Sequence, residues 1–224
     1  MKVKVCGMRD AANVTSVAAL KPDFMGFIFY PQSKRFVGAD FDKQIIKSID
    51  SSIKKIGVFV NTPIDEVFQK LLHYELDGVQ LHGDESKEYC AEIRKLLPTE
   101  KLVFKVFQVD ENFDFAVCED FVPVCDYFLF DTKTKEYGGS GKSFDWSILQ
   151  QYTLNKPFFL SGGIKADDAK PVAELAKTQP MLYAIDVNSK FEIEPGLKNI
   201  EEIEKLKKVK VDSQLDPPTL NFEL

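Results

Sequence analysis

Eight short apolar runs recur along this 224-residue chain, and their regular spacing leaves few folds open. They read VKVC, MGFIF, IGVFV, GVQL, VFKVF, YFLF, PFFL and YAID, starting near Val3, Met25, Ile56, Gly78, Val103, Tyr127, Phe158 and Tyr183. Successive starts lie about 22 to 31 residues apart, room for one strand, one helix and two loops. The runs are rich in Val, Ile and Phe, the pattern of strands buried on both faces of a parallel sheet. Between them lie stretches with helical periodicity: Ile64, Val67, Phe68, Leu71 and Leu72; Tyr89, Ile93, Leu96 and Leu97; Val172, Leu175 and Ala176. Asp10, Asp65 with Glu66, and Asp84 with Glu85 mark helix starts, where a carboxylate meets unpaired N–H groups. Eight strand–helix units imply an α/β fold closed as a single (βα)8 barrel, the TIM-barrel architecture; an open doubly wound sheet is the alternative. The barrel domain is expected over residues 1–210. Residues 211–224, with Pro217, Pro218 and no periodicity, are expected to form an irregular tail on the barrel exterior.

Charge narrows the partners. The chain carries 29 Lys and Arg against 35 Asp and Glu, net −6, which lacks the basic footprint that nucleic-acid binding needs. Cys6, Cys90, Cys118 and Cys125 are scattered, with no paired spacing and no nearby histidine, so no metal site is expected. The opening MKVKVCGMRD meets charge too early for a signal peptide, and no run approaches the roughly 18 apolar residues of a membrane span. The expectation is a cytoplasmic protein with reduced thiols and no membrane or nucleic-acid partner. A monomer is favoured, although no residue pattern decides oligomeric state.

In such a barrel the chemistry sits on the loops after the strands. Here those positions hold Cys6-Gly7, Tyr30 to Val37 with Ser33 and Arg35, Asn61, and His82-Gly83-Asp84-Glu85. Further on come Asp131 ahead of Gly138-Gly139-Ser140-Gly141, then Ser161-Gly162-Gly163, and finally Asp186-Val187-Asn188-Ser189. The last two loops suit a phosphate, because glycines let backbone N–H groups approach an anion and a following helix end adds positive potential. A Gly-Gly pair also makes a simple tight turn. Gly141-Lys142-Ser143 is not a nucleotide loop: Glu136 stands where its first glycine belongs, and Phe144 where a dinucleotide loop needs its last. His73 reads as a surface or packing residue within a helix. His82 suits either a polar role in the cavity or a structural hydrogen bond. Arg35 fits a carboxylate clamp or a solvated loop. Cys6 ending a buried strand fits packing as well as chemistry, and Asp131 fits a helix cap as well as an acid.

The blocks KVCGMRD, GFIFYPQSKRFV, IGVFVN, GVQLHGDE, FDT followed by GGSGKSFDW, FFLSGGI and IDVNSKFEIEPGLKN, in that order, resemble the phosphoribosylanthranilate isomerase family over residues 2 to about 208. The resemblance implies a cofactor-free Amadori rearrangement of N-(5-phosphoribosyl)anthranilate in tryptophan synthesis, with an anionic phosphosugar as substrate. It implies Asp131 as the acid that opens the ribose ring and Cys6 as the base that takes the C2′ proton. Arg35 then matches the arginine that holds the anthranilate carboxylate. His82, Gly162, Gly163, Asp186, Asn188 and Ser189 would complete the substrate site. Lys190 stands where the family commonly has glycine, and Asp168 where asparagine is frequent. The alternatives are another phosphate-binding barrel enzyme of tryptophan or histidine synthesis, such as indoleglycerol-phosphate synthase, and a non-catalytic phosphosugar sensor. The chain lacks the strand-end lysine that such a synthase wants as its acid. A histidine-pathway isomerase would prefer Asp at position 6. A sensor has no use for an acid–base pair.

Overall fold

The structure, a computed structural model, describes residues 1–133 and 144–208. The Gly138–Gly141 loop and the expected tail at Val211–Leu224 lie outside the described residues. Eight parallel strands close on themselves: β1 Lys2–Val5, β2 Phe24–Ile28, β3 Lys54–Phe59, β4 Gly78–Leu81, β5 Leu102–Val109, β6 Tyr127–Thr132, β7 Phe158–Leu160 and β8 Leu182–Val187. Each begins within two residues of its expected start. The barrel is sealed by β1 against β8, where Lys4 lies opposite Asp186. No open sheet edge remains in this barrel, so the doubly wound alternative is set aside.

The helices are α1 Ala11–Ala19, α2 Lys43–Lys47, α3 Ile64–His73, α4 Lys87–Leu96, α5 Ala169–Thr178 and α6 Ile200–Lys208. Asp10 caps α1 by accepting from the Asn13 N–H, and Asp65 and Glu66 occupy the first turn of α3. The expected start at Asp84 and Glu85 is corrected. Ser86 caps α4, while Glu85 is turned inward, accepting the N–H groups of Asn61 and Gly83 and pairing with buried Lys105 at 2.9 Å. The expectation of a helix after every strand is also corrected. Behind β5 and β6 the described connections are 3-10 segments, Phe115–Phe121 and Trp146–Gln151, of seven and six residues. Segments so short, with Phe, Val, Cys and Trp in place of strong helix formers and a proline soon after, gain little from α-helical pairing. Leu72 and Leu96, assigned to apolar helix faces, are exposed; each lies at the solvent edge of its stripe. His73, the last residue of α3, is exposed as expected.

Two apolar layers result. The larger lies between the strands and their covering helices and includes Val5, Val17, Phe27, Val67, Ile93, Phe128 and Val172. The smaller fills the barrel itself, with Phe24, Ile56, Phe104, Val106, Leu129, Phe159 and Ala184. Phe24, Phe104, Tyr127, Phe159 and Tyr183 meet there ring against ring, at centroid separations from 5.0 to 6.4 Å. Because side chains alternate along a strand, the inward residues two positions further on form the mouth above this plug. Leu129 leads to Asp131, Phe159 to Ser161, and Ala184 to Asp186.

Candidate active site

A cavity open to solvent sits at the C-terminal ends of the strands. Its lining includes Cys6, Arg35, His82, Asp131, Gly162, Gly163, Asp186, Asn188 and Ser189, so the nine residues assigned to the site by resemblance all reach one chamber. Ile28, Val58 and Val60 supply an apolar wall, and exposed Lys190 stands at the rim.

Cys6 follows directly on β1, with its N–H donating to the Val187 carbonyl at 2.9 Å. Its side chain needs the missing side chain of Gly26 next door: a Cβ there would lie 2.7 Å from the Cys6 sulfur and 3.2 Å from Lys4 Nζ. Burial pushes the Cys6 thiol above the ordinary range, Lys4 pulls it back, Asp186 pushes it further, and Lys198 pulls it down. The balance stays on the raised side. Two cations do not offset full burial, so the thiol is not lowered in the way that would favour a base at neutral pH.

Asp131 is inward on β6 and 7% exposed. One carboxylate oxygen accepts the Thr132 N–H at 2.9 Å, and the other lies 3.5 Å from His82 Nε2. The Gln80 side-chain amide lies 2.9 Å from His82 Nδ1. When that amide donates, the imidazole proton rests on Nε2, facing Asp131. Among the described residues Nε2 has no hydrogen-bond partner at bonding distance, so it is free to meet a ligand hydroxyl.

Arg35 is not solvated. Its Nε and Nη2 form a fork on Glu192, at 2.7 to 3.0 Å. Glu192 also receives Lys198 Nζ at 2.6 Å, and Lys198 in turn donates to Asn188 Oδ1 at 2.7 Å. Burial would raise the Glu192 carboxyl, but Arg35 and Lys198 hold it below the usual carboxylate range. Asp186 follows Ile185, the register partner of Leu160 on β7, and lines the cavity together with the glycine loop. Its carboxylate is 3.0 Å from Lys4 Nζ, and both side chains are buried. Gly162 and Gly163 have φ of +91° and +65°, a left-handed path that brings successive N–H groups to the chamber wall. The eighth loop runs into a three-residue 3-10 turn at Ser189–Phe191.

Sequence reasoning missed Lys4, Gln80, Glu192 and Lys198. A signal was present for two of them. Lys4 and Gln80 are polar residues inside apolar strands, two positions before Cys6 and His82 and therefore on the same inward face. Lys198 is one of the few fully buried lysines, but its burial follows from the short hairpin of β9 Glu192–Glu194 and β10 Leu197–Lys198, which periodicity did not reveal. Among the described residues no group of His, Cys, Asp and Glu is arranged to hold a metal ion, and no helix is long and apolar enough to cross a membrane.

Comparison with known proteins agrees with this geometry. The family model described as N-(5′-phosphoribosyl)anthranilate (PRA) isomerase matches residues 3–209. The isomerase of that name from Parabacteroides distasonis is 45% identical over 204 residues, covering 91% of this chain and 90% of the relative. The crystal structure of phosphoribosyl anthranilate isomerase from Thermotoga maritima superposes with a TM-score of 0.81 at 32% identity, over 93% of this chain and 97% of that one. A structure of the isomerase in complex with reduced 1-(o-carboxyphenylamino)-1-deoxyribulose 5-phosphate gives 0.78 at 27% identity, with the same coverage. With a family model spanning the whole described barrel and relatives matching nearly end to end, the chain belongs to the N-(5′-phosphoribosyl)anthranilate isomerase family.

Proposed function

We propose that this cavity converts N-(5-phosphoribosyl)anthranilate into 1-(o-carboxyphenylamino)-1-deoxyribulose 5-phosphate, with Asp131 as general acid and Cys6 as general base. The observation that carries this reading is the convergence of two proton-bearing side chains, from the first and sixth strands, with two glycine or polar loops on one chamber. Asp131 gives its proton to the ribose ring oxygen. The C1′–O bond breaks, and the nitrogen lone pair forms an iminium. The Cys6 thiolate then takes the C2′ proton. The C–H electron pair forms a C1′=C2′ double bond, the C=N pair returns to nitrogen, and the enolamine tautomerises to the ketone. Two opposed proton carriers suffice for this sequence without a cofactor.

The phosphate is held by the Ser161–Gly163 and Asn188–Ser189 loops, through backbone donors, with Lys190 adding positive charge at the rim. Asp186 serves the Cys6 side of the chamber instead. Arg35, pinned by Glu192 on one edge, presents its remaining Nη1 edge to the anthranilate carboxylate, so its direction is set before substrate arrives. The apolar wall of Ile28, Val58 and Val60 suits the aromatic ring. Four free cysteines fit a reducing cytoplasmic compartment.

The direct test follows loss of phosphoribosylanthranilate fluorescence with purified protein. Turnover is expected, and phosphosugar binding without turnover would instead mark a sensor. Gly163→Val tests the phosphate loop. A branched side chain at φ +65° is strained and moves the N–H groups away from the anion. The expected result is KM raised about tenfold or more. An unchanged KM in a folded variant would place the phosphate elsewhere.

A further inference from the structure

We propose that Lys4 is a positioning residue for Cys6: braced by Asp186 across the strand pair that closes the barrel, its ammonium serves as counter-ion to the Cys6 thiolate. The inference rests on Cys6 being the base and adds how a buried sulfur carries negative charge there.

Lys4 and Cys6 are two residues apart and share the inward face of the first strand. Lys4 is wholly buried, and its partner Asp186 is its register neighbour on β8. The ammonium donates to Asp186 Oδ1 at 3.0 Å, and it and the Cys6 sulfur lie 3.2 and 2.7 Å from the one point where a Gly26 Cβ would stand. Sulfur and ammonium crowd the same point above Gly26, which explains why no side chain is present there. A salt bridge inside a barrel is a poor stabiliser, since the desolvation of both ions offsets their attraction and an apolar pair of similar volume does as well. Its place against the reactive sulfur supplies the missing reason.

The other charges facing Cys6 do not replace it. Lys198, from β10, is committed to Glu192 and Asn188, and Arg35 is forked on the same Glu192. Asp186 pushes the thiolate away, while Asp131 and His82 line the chamber from β6 and β4. Burial alone would pull Lys4 down, yet Asp186 and Cys6 together hold it above the ordinary lysine value, so it keeps its proton. Lys4 therefore does not accept the substrate's proton from the thiol. It compensates charge only.

The test reads the thiol directly. Carbamidomethylation of Cys6 by iodoacetamide, quantified by peptide mass mapping against pH, reports the thiolate fraction without requiring turnover. Cys6 borders the open cavity, and the other three cysteines are buried away from its lining. Relative to the unmodified chain, Lys4→Met and the neutral pair Lys4→Met/Asp186→Asn should move the alkylation curve up by about one pH unit or more. Asp186→Asn alone should move it down, because the ammonium is then shared with no carboxylate. Lys4→Arg should keep it near its original position. The Met variants should also lose about tenfold in kcat at neutral pH, regain it as pH rises, and leave KM unchanged. A folded double variant with the original alkylation curve, or a curve for Asp186→Asn that stays or rises, overturns the proposal. Should Lys4→Met not fold, Asp186→Asn and Lys4→Arg still decide it. A failure of Cys6 as base is seen separately, as retained turnover in Cys6→Ser while the alkylation shifts persist.

Discussion

Cys6→Ser lowers kcat by at least about two decades with KM little changed, a loss of about 2.7 kcal/mol of transition-state stabilisation. Serine keeps the shape and the hydrogen-bonding capacity of the position, and the space above Gly26 accepts the smaller oxygen. What disappears is a group that ionises at all within the working range. Even the sulfur is held above the ordinary thiol range, because burial outweighs the nearby lysines. The direction of the pH dependence follows. Below its pKa the thiol holds its proton and cannot act as base, and its pKa lies above that of an ordinary thiol. The kcat/KM of the unmodified chain should therefore keep climbing on the alkaline side of neutrality, roughly tenfold per unit where the thiol limits the rate. Cys6→Ser should lose that limb. Near-normal kcat in a folded variant, or an unchanged alkaline limb, would remove Cys6 from the role.

The barrel was legible because its signal repeats. Eight apolar runs at matched spacing fix strand number, and each begins in the structure within two residues of the sequence reading. The strand ends were legible for the same reason, since a polar or glycine residue terminating an apolar run stands out. What the sequence concealed is long-range pairing. Glu85 reads as a helix-starting acid from its neighbours, yet Lys105, twenty residues on, draws it inward. Arg35 leaves a carboxylate clamp and a solvated loop both open until Glu192 is brought beside it by the eighth loop, 157 positions later. Asp186 reads as part of a phosphate loop, and its pairing with Lys4, 182 positions earlier, comes into view only when the barrel closes. The 3-10 connections behind β5 and β6 belong to the same class. Their local composition is weakly helical, and what holds them is tertiary, as when Phe115 packs against Phe130 and Tyr152 at 5.3 and 5.5 Å.

Asp131→Asn is expected to cost at least as much as the loss of the thiol, because ring opening precedes proton abstraction and an amide has no acidic proton to give. The substitution is nearly isosteric, and its site is well defined: one oxygen is fixed by the Thr132 N–H and the other faces His82 Nε2 at 3.5 Å. Asparagine can keep the first contact through its carbonyl oxygen, so the local backbone holds and KM stays close to its original value. Turning the NH₂ toward Nε2 costs little if the imidazole proton moves to Nδ1, but Gln80 then loses its acceptor and the histidine tautomer changes. The variant therefore removes the acid and disturbs the histidine that faces it. His82→Asn separates the two effects. It keeps the carboxyl and removes the imidazole, and a smaller loss than in Asp131→Asn is expected if His82 only orients the acid. The decisive comparison is kcat of the two folded variants at neutral pH. Full activity in Asp131→Asn with loss in His82→Asn would transfer the acid's role to His82, the remaining side chain of this chamber whose ordinary pKa lies near neutrality.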